Sequence, residues 1–292
     1  MRILLISILA VLVSIEDMQK AEAHPLFETE SKGNYLSLYF IPSPYGVDWS
    51  NPRSVLLSNV RNQFSFKPRK LGHVNVHLKC ESETEELTGM YSPQMNSKTQ
   101  ILINGAGYGI LWHSFPGALE EKELLQLELP NYISENRLSL VRLKISSSVC
   151  KKLKNYLSEY KSQNFQKSYG LFNRPRLKEG AGCSAFGVSF LDIANLLQQE
   201  TKEWQVQLNI SEALLGAPVR DEYIPVWRIY NTKSWAQENE PHKKILFWDP
   251  DKMHAWTLKN KNTEIAGVPG YYKDLSDIEA DNSPIWLAEK TK

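Results

Sequence analysis

Apolar and polar residues alternate along Tyr35-Leu36-Ser37-Leu38-Tyr39-Phe40, the period of a half-buried strand, and Pro42, Pro44 and Gly46 end the run. Residues 42–54 read as a loop carrying Trp49. His73-Val74-Asn75-Val76-His77-Leu78, introduced by Gly72, predicts a second strand, followed by a charged turn over 81–86. Gln100-Ile101-Leu102-Ile103 predicts a third, ending in the glycine-rich Asn104–Gly109. A short strand is expected within 110–116, and others over 124–129 and 137–145. Ser146 is placed to cap a helix over 149–160, whose apolar positions Val149, Leu153, Tyr156, Leu157 and Tyr160 recur at helical spacing. After an irregular stretch over 161–182, a helix from Cys183 is apolar on nearly all sides, the pattern of a buried helix, with Asp192 and Asn195 on its poorer face. Beyond Glu203 the expectation is Trp-rich strands at 204–210, 223–230, 244–248 and 255–258, with 284–287 as a docking plug. Strands, two helices, then strands indicate the α+β class.

The first residues carry an address. Arg2 precedes thirteen uncharged residues, Ile3–Ile15, too few to span a bilayer, and Ala21-Glu22-Ala23 fits a small-x-small cleavage site. Residues 1–23 are expected to be a secretory signal, with a membrane anchor or a buried helix as the other readings. No later apolar run approaches transmembrane length, so no integral membrane segment is expected after its removal, and the location is expected to be periplasmic or secreted. The 292 residues, 42% hydrophobic and 23% charged, suffice for a substantial core. With 34 basic against 33 acidic residues, nothing global attracts the chain to nucleic acid. Of three cysteines, Cys80, Cys150 and Cys183, an oxidising compartment leaves one over: if Cys80 and Cys150 pair, Cys183 is the free thiol. Three buried, inert thiols are the alternative.

Candidate chemistry centres on Glu179-Gly180-Ala181-Gly182-Cys183-Ser184. Its glycines leave space beside the thiol, and a helix beginning at the cysteine favours thiolate through its dipole and unpaired N–H groups. A nucleophilic cysteine needs a base, normally histidine. His73 and His77 share one face of the second predicted strand with Asn75 between them, and His113 follows in Leu111-Trp112-His113. Arg174 and Arg176, just before the cysteine, suit a substrate carboxylate or phosphate. Gly105–Gly109 is not a dinucleotide fingerprint; no CxxC pair is present, and the one HxxxH, His73 to His77, has no companion carboxylate identifiable in the sequence, so neither a cofactor nor a metal is expected.

The order of Gly72-His73 on a strand, a glycine-rich segment ending Phe115-Pro116-Gly117, a helix, and then Gly182-Cys183 opening an apolar helix resembles the circularly permuted papain-like cysteine hydrolases, the group of NlpC-type peptidases and lecithin:retinol acyltransferase relatives. Within that group the chain is most similar to the bacterial Lnb N-terminal periplasmic domain family, although Gly182 stands where that family often has Asn. The resemblance implies an antiparallel papain-like sheet packed on the Cys183 helix over 24–200, with 201–292 as a strand- and Trp-rich extension. It implies Cys183 as nucleophile and His73 as base. A third polar residue on a later strand then orients the imidazole, with Asn104 the candidate and His113 its competitor. His77, His113, Arg174 and Arg176 are the candidate binding residues. The expected activity is hydrolysis or acyl transfer at an amide or ester, on a cell-wall peptide or lipid-acyl substrate. The rival expectation is a non-catalytic envelope binding protein using Trp227, Trp235, Trp248 and Trp256.

Overall fold

The computed structural model describes residues 24–27, 33–81, 83–95, 100–101 and 103–288, so the expected signal at 1–23 lies outside the described residues. In chain order the elements are β1 (Asn34–Ile41), α1 (Pro52–Gln63), β2 (His73–Lys79), β3 (Glu86–Tyr91), β4 (Phe115–Pro116), β5 (Ala118–Leu119), α2 (Lys122–Ser134), β6 (Ser139–Ile145) and α3 (Ser147–Ser162). There follow β7 (Ser168–Tyr169), α4 (Cys183–Ile193), β8 (Gln205–Ser211), α5 (Val226–Asn231), β9 (His242–Trp248), α6 (Pro250–Asn260), β10 (Thr263–Ile265) and β11 (Val268–Leu275). The α+β class holds.

The central sheet has seven strands in the order β10-β11-β6-β1-β2-β3-β5. It is mixed rather than antiparallel, because β11 runs parallel to β6. The C-terminal region therefore completes the sheet: Trp204, Met253, Trp256 and Leu275 belong to the same buried cluster as Val74, Phe186 and Leu153. On β2, Val74, Val76 and Leu78 enter that cluster, which also contains the inward faces of α3 and α4. On the other side of the sheet, Tyr39, Ile41 and Leu140 pack with Leu125, Leu129 and Tyr132 of α2. A separate cluster lies between the antiparallel β8–β9 pair and α1 and includes Val55, Ile210 and Phe247.

Local signals explain the elements that match expectation. Ser146 caps α3 by accepting from the Val149 N–H, and α4 opens at Cys183 with Gly182 at its cap. Four expected strands are corrected. Residues 124–129 lie in α2, where Leu125, Leu129 and Tyr132 form the buried stripe and Leu124 and Leu127 face solvent. Residues 226–231 and 250–260 are helical, each entered through a proline that supplies helical φ at the cost of no needed N–H: Pro225 at the cap of α5 and Pro250 in the first turn of α6. Residues 100 and 101 are helical, and Asn104 follows in a bend. Helix α1 runs through the end of the expected loop, capped by Asn51 onto the Ser54 N–H with Pro52 in its first turn. Cys80 and Cys150 are disulfide-bonded with Cα atoms 5.8 Å apart, and Cys183 is the free, buried thiol. Trp286 docks against Tyr156 and Phe165, seating the C-terminal plug.

Candidate active site

Two close approaches bring the Cys183 thiol to His73. Gly187, one turn into α4, faces Val74 of β2 so closely that a Cβ there would sit 2.6 Å from Val74 Cγ1. Gly72 leaves room for Pro250, which would lie 2.8 Å from a Cβ at that position. The N-terminus of α4 thus rests over the start of β2, and Cys183 Sγ lies 3.9 Å from the Gly72 carbonyl oxygen. His73 is the next residue, and its ring lies near enough to the thiol that each shifts the other's ionisation.

A carboxylate completes the set. His73 Nε2 meets Glu120 Oε2 at 2.7 Å, and Asn75 Nδ2 donates to the same oxygen at 2.6 Å. Arg69 Nη2 donates to the other oxygen at 2.5 Å while its guanidinium also grips Glu128. Gly89 on β3 makes the slot: a Cβ there would stand 2.4 Å from Glu120 Oε2. Burial opposes ionisation of Glu120, but His73 and Arg69 outweigh it and hold the carboxyl down at about 2. Burial likewise opposes the imidazolium, yet the Glu120 charge wins, and His73 is raised to about 9. The buried Cys183 thiol would be pushed up by desolvation, but imidazolium and hydrogen bonds from His73, Tyr169 and Ser184 bring it down to about 7. Between those values the resting pair is thiolate and imidazolium.

Tyr169, on the short strand β7, lines the same cavity as Cys183, and the two side chains influence each other's ionisation. Burial, then the neighbouring thiolate, raises its pKa, so it remains a phenol and a hydrogen-bond donor. The first N–H groups of α4 have no partner within the helix. Tyr169 and the helix start therefore place donors around any oxyanion formed at the sulfur.

The thiol opens into a cavity of about 470 Å³, the size of a small-molecule site. Its walls are largely apolar and include Val47, Val55, Leu56, Leu111, Phe115 and Leu171. Asp249 and Asp251 also line it, but both are engaged. Asp249 caps α6 and accepts from Trp49 Nε1 at 2.7 Å, while Asp251 accepts from the Ser43 and Val47 N–H groups. Burial and the neighbouring Asp251 raise Asp249 to about 6.

The other expected site residues fall elsewhere. Asn104 is exposed and bonds Gln100, and the polar group at the His73 ring is Glu120 instead. His113 lines the cavity and packs on Phe115, with ring centroids 4.5 Å apart. His77 is buried in a separate polar pocket with Tyr39 and Glu85, and burial lowers its pKa. Arg174 pairs with Glu179, and Arg176 holds Asp192 and the carbonyls of Pro284 and Ile285, so it anchors the C-terminal plug instead of facing the cavity. Of the four tryptophans expected to form a binding surface, Trp256 is buried, Trp235 donates to the Trp49 carbonyl, Trp248 lines the cavity and Trp227 is exposed. Among the described residues no group of three or more His, Cys, Asp or Glu side chains is placed to hold a metal ion. Comparison with protein-family models, curated proteins and solved structures finds no match to this chain.

Proposed function

We propose that the protein is a thiol acyl hydrolase or acyltransferase of the permuted papain-like kind, in which Cys183 is nucleophile, His73 acid and base, and Glu120 the group that orients and charges His73. The observation carrying this reading is the opening of a thiol of lowered pKa into an apolar cavity. An apolar wall suits an acyl chain better than a cell-wall peptide, whose amides would be left without partners there. The Cys80–Cys150 disulfide supports a periplasmic or extracellular site of action.

The Cys183 thiolate attacks the carbonyl carbon of the bound ester or amide, forming a C–S bond while the carbonyl electron pair moves to oxygen. Tyr169 and the α4 N–H groups take up that oxyanion. The intermediate collapses by breaking the bond to the leaving group, which takes the proton from His73 imidazolium. A thioester remains on Cys183. Water or an acceptor hydroxyl or amine then gives its proton to His73, attacks the thioester and releases the thiolate. Glu120 holds the imidazole in one orientation throughout.

The test is incubation with p-nitrophenyl esters of increasing chain length, followed by mass spectrometry of the peptide containing Cys183. The expected result is faster release with longer chains and an acyl adduct on Cys183. Release no faster than with Cys183→Ala would overturn the reading in favour of a non-catalytic binding protein.

A further inference from the structure

The mouth of the cavity differs from the rest of the surface. Val60, Phe64, Leu71 and Met95 line the cavity and also reach solvent, Phe64 at 81% exposure. Just beyond it Phe66 is fully exposed at 104%, and Leu57, one turn before Val60 on α1, is exposed as well. Large apolar side chains gathered at one place on a surface mark an interaction site. On the neighbouring α5, the Tyr230 ring lies under the Arg53 guanidinium at 4.2 Å, and Trp227, one turn earlier, is exposed.

Charge on this stretch has one sign. From Trp49 to Gly72 the chain carries Arg53, Arg61, Lys67, Arg69 and Lys70 and no Asp or Glu, in a protein whose total charge is nearly balanced. Arg69 is committed to Glu120 and Glu128. Arg53 and Arg61 stack on tyrosine rings, and Lys70 donates to the carbonyls of Ser65 and Lys67, arrangements that leave their charge uncompensated by a carboxylate.

We propose that this face docks on an anionic lipid bilayer. Leu57, Phe64 and Phe66 enter the boundary between headgroups and acyl chains, and Arg61, Lys67 and Lys70 meet lipid phosphates. The cavity mouth then opens against the lipid from which an acyl chain is drawn, and in this respect the inference rests on the acyl reading above. Aromatic and aliphatic residues interleaved with Lys and Arg are the composition of interfacial elements, and each basic residue near an anionic leaflet adds attraction. A second copy of the chain fits less well, because a two-fold interface sets the same patch against itself and so brings like charges together. Among the described residues no helix is long and apolar enough to cross a membrane, so docking here is peripheral.

Sedimentation with vesicles tests the proposal, using Cys183→Ala protein so that binding needs no turnover. Vesicles of phosphatidylcholine with phosphatidylglycerol should pellet the protein, vesicles of phosphatidylcholine alone should pellet less, and added salt should weaken the effect. Phe66→Ser with Lys67→Glu, both outside the cavity, should lower partitioning about tenfold or more. Placed in the otherwise wild-type chain, the same pair should leave cleavage of a short soluble ester unchanged. Equal partitioning of parent and variant, or no pelleting with anionic vesicles, overturns the proposal. A dimer in sedimentation velocity that the double variant dissociates overturns it too, and assigns the face to a second copy. Ester cleavage without vesicle binding sinks docking alone, whereas vesicle binding without Cys183-dependent cleavage sinks the acyl reading alone.

Discussion

At the scale of single residues, the Cys183–His73–Glu120 set makes the pH dependence explicit. Below about 7 the thiol is protonated, and above about 9 His73 loses its proton. The profile of kcat/KM should therefore be a bell with limbs near those values. Alkylation of Cys183 by iodoacetamide should fall away as pH drops through about 7. Glu120→Gln removes the charge that raises His73, so the alkylation midpoint should climb towards the ordinary thiol value of about 8.5. Turnover in that variant should drop by about 10²–10⁴-fold, the range of a misoriented or mischarged base. An unchanged alkylation profile in Glu120→Gln would remove Glu120 from the site. Asn104→Ala should alter neither measurement, since that residue is exposed and bonded to Gln100. The raised His73 pKa has a stability counterpart: its contribution is fully present below the unfolded value of about 6.5 and is lost as pH rises through about 9.

His73 and Cys183 are legible in sequence because each follows a glycine at the start of an element, where the backbone neighbours they need are local. Glu120 is not, because it reaches His73 from 47 positions away, between a two-residue strand and a helix with no pattern of its own. A clue lay in Gly89. A glycine inside a strand marks a close approach, and here the group that approaches is the Glu120 carboxylate.

At the scale of elements, the junction of α4 and β2 sets how closely Cys183 approaches His73. Gly187→Ala would add a methyl 2.6 Å from Val74 Cγ1, and Val74 is β-branched, buried and unable to swing aside. Alanine improves helix propensity by up to about 1 kcal/mol, but overpacking costs about 1–3 kcal/mol. A net loss of about 1–2 kcal/mol is expected in urea unfolding. The helix start should also lift from His73, moving Cys183 alkylation to higher pH. If stability falls without that shift, the contact serves packing alone. The misread segment 124–129 has an identifiable physical cause. Over six residues, Leu124–Leu129 satisfies both a strand period and a helix stripe, and the decision comes from Tyr132 and Ile133, beyond the window, which pack with Leu125 and Leu129 on the sheet. The long strands β1, β2 and β6 are clearer because each lies in the middle of the sheet and is buried along nearly its whole length.

At the scale of the molecule, the Cys80–Cys150 bond closes a 70-residue separation and ties the end of β2 to the first turn of α3. Chain-entropy reasoning gives about 4 kcal/mol for a loop of that length, and measured removals cost about 2–5 kcal/mol. Cys80→Ala with Cys150→Ala should lower the unfolding free energy within that range in urea titration. Soluble-ester turnover of the fraction that remains folded should stay near wild type, because the staple lies at the opposite end of β2 from His73. Loss of turnover from the fully folded variant would show that the staple also positions the site.

That placement has a further chemical consequence. A thiolate is the reagent that opens disulfides, so a chain holding both is exposed to its own scrambling. Here the reactive sulfur lies beside His73, at the first residue of β2, and the bonded pair lies just past Lys79, at the last. At 3.3 Å per residue the strand spans about 20 Å, roughly ten times the length of a sulfur–sulfur bond. The strand is thus a rigid spacer between two incompatible reagents. Sulfur exchange should begin only when the sheet opens, so mixed disulfides involving Cys183 would report unfolding before any optical signal of bulk denaturation.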